Sequence, residues 1–224
     1  MSKQKLLGMV VSRFIAAAVF LVAIIFWPAG TFNYWQGWLF LAVIFIPVIF
    51  VMSYLIRKEP ALLERRMRTR EPEKAQRWII GLTAIPLLLS YVIPGFDVRL
   101  GWSHVPVWLV IVANVLVIAG YLIVFLVFRE NQYTSRVVEV EQGQTVISSG
   151  PYSLVRHPMY SGVSLMYVFS PLALGSFWAM IPAVLIIPVL FLRIQNEELV
   201  LSRDLKGYPE YMQKVKYRII PGIL

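Results

Sequence analysis

Between Tyr160 and Glu197 lie 36 residues, Ser161 to Asn196, whose only charge is Arg193. As one straight helix they would run about 54 Å at 1.5 Å per residue, against a bilayer hydrocarbon core of about 30 Å. The stretch must turn back on itself, and Leu174-Gly175-Ser176-Phe177 is the natural place. Pro171, Pro182 and Pro188 loosen the two arms, so a re-entrant and a fully spanning hairpin both fit. In either form the two flanking motifs, Arg156-His157-Pro158-Met159-Tyr160 and Glu197-Glu198, return to one level.

The rest of the chain supplies a membrane for that hairpin to enter. Hydrophobic residues make up 58% of it, above the roughly 45–50% of soluble domains, and the 15% that are charged fall in blocks between apolar runs. Four runs, Phe14 to Trp27, Trp35 to Ile56, Trp78 to Ile93 and Val105 to Phe128, are expected as transmembrane helices. Pro28-Ala29-Gly30 should end the first and Pro94-Gly95 the third. The first run has signal-peptide flanks, but Ala16 to Ala18 lie inside it, which predicts a retained span. The expected fold is all-α integral membrane: four spans over residues 1–128, then residues 129–224 with a flap, the helical hairpin and a cytoplasmic tail helix.

Cysteine is absent, so disulfides, thiolate ligands and a cysteine nucleophile are excluded, and two distant histidines, His104 and His157, predict no metal site. The net charge of +9 suggests nucleic acid only until the spans are placed. With the N-terminus cytoplasmic, only Arg99 of the 21 Lys and Arg falls in the opposite loops, leaving 20 on the cytoplasmic side. That predicts cytoplasmic termini, a cytoplasmic site and the lipid bilayer as partner, with no role for nucleic acid. The most basic stretch, Arg57 to Arg77, includes Arg65, Arg66, Arg68 and Arg70. It reads as a cytoplasmic loop, with an interfacial helix on anionic head groups as the alternative. In the flap, Val138, Val140 and Val146 alternate with polar residues around Gln142-Gly143-Gln144, predicting a short extended hairpin, and Ser149-Gly150-Pro151 blocks a helix.

Pro158 suits the first position of a helix, which sets Arg156 and His157 at its mouth beside free N–H groups, a ready anion site. Glu197 and Glu198 at the same level attract a cation. Each residue alone has an ordinary reading: a snorkelling arginine, a capping histidine, a belt tyrosine, a solvated acidic face. Their convergence at a membrane rim fits a zwitterionic cofactor serving a lipophilic substrate.

These residues carry a resemblance. Arg-His-Pro-x-Tyr, 36 residues and Glu-Glu is the signature of the isoprenylcysteine carboxyl methyltransferase and phospholipid N-methyltransferase superfamily, and the spacing here matches it. Gly150-Pro151-Tyr152, Gly162 and the tail from Tyr208-Pro209-Glu210-Tyr211 to Pro221 are also similar to the family. The resemblance implies S-adenosyl-L-methionine as cofactor and methyl transfer to a lipophilic acceptor, a carboxylate first and a phospholipid amine as the alternative. It implies Arg156, His157 and Glu198 as catalytic residues. It implies cofactor contacts from Gly150, Tyr152, His157, Tyr160, Glu197, Glu198 and Tyr211. An NADPH-dependent membrane reductase is the rival by partial likeness, and a non-enzymatic membrane protein is the other. Leu205-Lys206-Gly207 stands where eukaryotic carboxyl methyltransferases have Phe-Gly before the tyrosines, which argues against prenylcysteine as the acceptor.

Overall fold

A long apolar run in hydrocarbon can satisfy its backbone only within itself, and the runs here do so as helices. The computed structural model describes residues 3–68, 71 and 73–223, so Arg70 lies outside the described residues. The order is α1 (Lys3–Ala29), α2 (Trp35–Lys58), α3 (Pro60–Arg66), α4 (Lys74–Leu100) and α5 (Val107–Glu130), then α6 (Pro158–Ala173), α7 (Met180–Asp204) and α8 (Tyr208–Lys214), with a 3-10 turn at Gly150–Ser153. No strand occurs among the described residues. By length and composition four helices suffice to cross a membrane: Gln4–Ala29, Trp35–Lys58, Lys74–Leu100 and Val107–Glu130. Their outer faces leave large apolar side chains uncovered, Val19, Phe20, Ile46, Ile85 and Leu122 among them, as a lipid-facing surface requires.

One expected helix end differs. The third span does not stop at Ile93; α4 continues through Pro94-Gly95 to Leu100. Gly95 serves helix contact there, since a Cβ on it would sit 2.7 Å from the Ile25 carbonyl oxygen of α1 and 2.8 Å from Pro28 Cβ. The first helix ends within Pro28-Ala29-Gly30 as expected, at Ala29, and is capped by Gly30 at φ +64°. A consequence is that Asp97, expected in a loop, sits in the last turn of α4 and is buried. Its carboxylate accepts from the Ser103 N–H and hydroxyl, each at 2.6 Å, and from the Ser176 hydroxyl.

Ser176 belongs to the hairpin turn. The chain reverses between α6 and α7 at residues 174–179, with Gly175 at φ +80°, where the sequence predicts it. The Tyr34 hydroxyl, ahead of α2, donates to the Leu174 carbonyl, and the Phe177 N–H donates to the Ser103 hydroxyl at 3.2 Å. The turn is thus fastened to the connections α1–α2 and α4–α5, at the end of the bundle remote from Arg156 and Glu198. The arms are unequal, 16 and 25 residues, because α7 runs on as a helix past Arg193 and the glutamate pair. On its other side α6 packs against α5 at Gly120 and Gly162, where a Cβ on either would lie 2.6 Å from the other's carbonyl oxygen.

The flap turns at Gly143, φ +76°, with the Gln144 N–H on the Glu141 carbonyl at 3.0 Å, but its arms form no strand pair. Their polar groups go instead to the basic stretch. Arg65 pairs with Glu141 at 2.8 Å and donates to the Gln132 carbonyl at 2.7 Å, Arg66 donates to the Ser135 carbonyl at 2.9 Å, and Arg68 pairs with Glu139. Glu71 accepts the Val138 N–H at 3.2 Å on each oxygen. The basic residues therefore hold the flap against the bundle.

Candidate functional site

Pro158 is the first residue of α6 and His157 its N-cap, so the helix start lies where the sequence places it. The residues before it are laced to the tail. Arg156 N–H donates to the Tyr217 carbonyl at 2.9 Å and His157 N–H to the Arg218 carbonyl at 2.8 Å. α7 brings up the glutamates from the other side. Its apolar part stops before Arg193, and Glu197 and Glu198 lie in the polar end beyond it.

Neighbours on a helix point about 100° apart, at 3.6 residues per turn, and the two glutamates have separate partners. Glu198 turns toward the tail. Its Oε1 accepts from Arg156 Nε at 2.7 Å and lies 3.2 Å from His157 Nε2, while its Oε2 accepts from Arg218 Nε at 3.0 Å. Burial alone would raise this carboxyl, but the hydrogen bonds from His157, Arg156 and Arg218 outweigh it and hold the carboxyl down at about 2. Arg156 Nη1 donates to the Val215 and Lys216 carbonyls, at 2.8 and 2.6 Å. The guanidinium thus fastens the tail to α7.

Glu197 faces the other way, into a cavity roofed by the flap. Its Oε2 accepts the Tyr160 hydroxyl at 2.7 Å, and that hydroxyl in turn accepts from Arg193 Nε at 2.8 Å. His157 Nδ1 is 4.0 Å from Glu197 Oε1, and the His157 and Tyr160 rings are 5.8 Å apart. Tyr152 and Tyr211 close the tail side; the Tyr211 hydroxyl donates to the Tyr152 carbonyl at 2.6 Å, and the Tyr152 hydroxyl accepts from Asn131 Nδ2 at 2.9 Å. Burial pushes the Tyr152 phenol up to about 12. Arg136 and Arg193 line the same cavity, and Arg66 stands behind them, lowered to about 10 by burial and by the charge of Arg136.

Of the residues expected at the site, Tyr152, Arg156, His157, Tyr160, Glu197 and Tyr211 line this cavity. Glu198 stands behind its wall, and Gly150 lines a different, apolar groove on the far side of the motif. Sequence reasoning missed Arg193, although its being the sole charge in 36 apolar residues marks it. It also missed Tyr208. The Tyr208 hydroxyl is buried without a hydrogen-bond partner among the described residues, and burial raises the phenol so that it stays a donor.

A cavity that presents a carboxylate, guanidiniums, an unpartnered phenol and aromatic faces fits a ligand carrying both charges. A sulfonium amino acid is such a ligand: Glu197 and the Tyr160 ring match its cations, and His157 and Tyr208 match its carboxylate. No curated protein matches the chain. A family model described as Phospholipid methyltransferase matches residues 108–206, from the start of α5 to just past the end of α7. The matched segment holds the helices that carry the Arg-His-Pro-x-Tyr and Glu-Glu motifs, so over residues 108–206 the chain is similar to the phospholipid methyltransferase family.

Proposed function

We propose that the protein transfers a methyl group from S-adenosylmethionine to a lipophilic acceptor at the cytoplasmic rim of the membrane. The observation that carries this reading is the division of the glutamate pair. Glu198 is taken up by Arg156, His157 and Arg218, whereas Glu197 is presented to a mixed-charge cavity together with Tyr160 and His157. When bound, the cofactor supplies an electrophilic methyl on a cationic sulfur. Glu197 and the Tyr160 ring would hold its positive groups, and His157 and the Tyr208 hydroxyl its carboxylate. The flap excludes water, which strengthens these contacts and favours a displacement in which opposite charges cancel. Alignment is the chain's main contribution. Arg156 and Glu198 act as positioning residues, by fixing the loop that carries His157.

A carboxylate acceptor is favoured because Arg66, Arg136 and Arg193 gather positive charge at the cavity. It also needs no base. An amine acceptor, the alternative that the family's description favours, must lose a proton, and His157 between the two glutamates is the group to take it. The hairpin is proposed to span the bilayer, with its turn on the outer side; the bonds of Ser176 to Asp97 and of Tyr34 to Leu174 support this. The termini and the site are then cytoplasmic.

Titration calorimetry on detergent-purified protein tests the cofactor: S-adenosylmethionine should bind and NADPH should not. Absence of methyl-donor binding sinks the reading. Incubating membranes with radiolabelled methyl donor then separates the acceptors, since alkali releases label from a methyl ester and leaves a methylamine intact.

A further inference from the structure

Behind the motif, on the lipid-facing side of α6, lies a groove of about 1090 Å³, larger than the roughly 300–1,000 Å³ of small-molecule pockets. Leu165, Val168 and Phe169 form its floor, Ile187 of α7 and Leu126 of α5 its sides, and Ile220-Pro221 of the tail an overhang. At its upper mouth stand Arg129 and Glu130, adjacent opposite charges that do not pair with each other among the described residues. Arg129 is exposed, and among the described residues Glu130 accepts the Ser149 hydroxyl. Within the wall, where the Ser161 hydroxyl is bonded to the Ile219 carbonyl, the Ser164 hydroxyl is buried without a partner among the described residues.

We propose that this groove is a site for one resident glycerophospholipid with a zwitterionic, phosphate-and-ammonium head group, distinct from the methyl acceptor. The arrangement follows the lipid's own layout. Arg129 meets the phosphate and Glu130 the ammonium. Ser164, six residues along α6 from Pro158 and so about 9 Å deeper, meets an ester carbonyl. The chains lie along Leu165, Val168 and Phe169, where an unfilled apolar groove would otherwise face disordered lipid. Among the described residues Pro158 alone lines both this groove and the polar cavity. Between them runs the motif loop, sealed to the tail by the Arg156 and His157 N–H groups and by the Ser161 hydroxyl on the Ile219 carbonyl. A methyl group held in the cavity cannot cross that wall. The lipid's role is to brace the tail segment that fixes Arg156 and His157. The inference rests on α5, α6 and α7 lying in the bilayer as proposed above, and does not depend on which acceptor is methylated.

Native mass spectrometry of the full chain, purified in mild detergent from membranes containing phosphatidylethanolamine and phosphatidylglycerol, tests it. One retained phosphatidylethanolamine is expected. Retention should fall about tenfold in Arg129→Gln, whose side chain is exposed and whose fold is safe, and in Val168→Trp, which fills the groove. No retained lipid, retention unchanged in both variants, or preference for phosphatidylglycerol overturns the proposal. Incubation with S-adenosylmethionine before the measurement should leave the retained lipid's mass unchanged. A gain of one methyl would make it the acceptor and overturn the distinction drawn here. Calorimetry of methyl-donor binding is a separate readout, so its failure would strike the proposed function and leave the lipid site standing.

Discussion

Arg156 and Glu198, 42 residues apart in the chain, meet at 2.7 Å with about 6% of either side chain exposed. A buried pair of this kind is costly to break from one side, because the surviving charge stays behind without its partner; losses of about 3–5 kcal/mol are typical. Arg156→Met and Glu198→Gln should therefore each lower the melting temperature strongly in detergent. The double variant should cost less than the two losses added. Arg156→Lys should rescue little, since one ammonium cannot reach Glu198 and the Val215 and Lys216 carbonyls in the same fork. Additive losses would show that the pair is not a unit.

Glu197 should behave differently from its neighbour. It faces the cavity and is about a quarter exposed, so Glu197→Gln leaves no charge stranded in the core. Its melting temperature should stay near wild type, while affinity for S-adenosylmethionine falls by about 10- to 100-fold, the worth of one hydrogen bond or ion pair to a charged group. Calorimetry on the two single variants checks the contrast. Equal loss of stability in both would remove the distinction between the glutamates.

That contrast also marks what was legible in the sequence. The hairpin and the meeting of its two ends follow from length alone, because 36 nearly uncharged residues cannot cross one bilayer in a single pass. The turn at Gly175 and the helix start at Pro158 follow from local backbone chemistry. Which glutamate faces the ligand does not, since it depends on the rotation of α7 about its axis, and that is set by packing against α4 and α6. Gly150 was hidden for another reason: it lies in the 3-10 turn ahead of α6, and which groove that turn borders is set by its packing on Glu130 of α5. Pro94-Gly95 misled because glycine has two uses: in water it breaks helices, whereas here Gly95 lets α1 come within contact of α4. The flap's alternation was genuine, but its partners were arginines and a glutamate from a distant stretch, which no local pattern announces.

The close helix crossings can be tested by adding single methyl groups. Gly162→Ala and Gly120→Ala each push a Cβ to 2.6 Å from backbone oxygen on the partner helix, so α5 and α6 must separate. Each should lower stability by about 1–3 kcal/mol, the usual cost of overpacking. Gly81→Ala, in α4 with nothing within 4 Å of the added Cβ, should raise stability by about 0.5–1 kcal/mol through helix propensity. Thermal melts of the three variants decide this; a harmless Gly162→Ala would mean that the crossing is looser than described.

The orientation rests on charge, with Arg99 as the lone basic residue at the remote end, and it can be read directly because the chain has no cysteine of its own. Ser149 is exposed beside the motif, so Ser149→Cys reports the site's side of the membrane. Ser103 is a poor reporter for the opposite side, being half-buried and bonded through both its N–H and hydroxyl to Asp97. His104 is exposed next to it, and His104→Cys leaves those bonds intact. In intact cells a membrane-impermeant maleimide should label His104→Cys and spare Ser149→Cys until the membrane is opened. The reverse pattern would put 20 of the 21 basic residues on the outer side, against the rule by which cytoplasmic loops retain Lys and Arg, and would move the proposed site away from the cytoplasmic methyl donor.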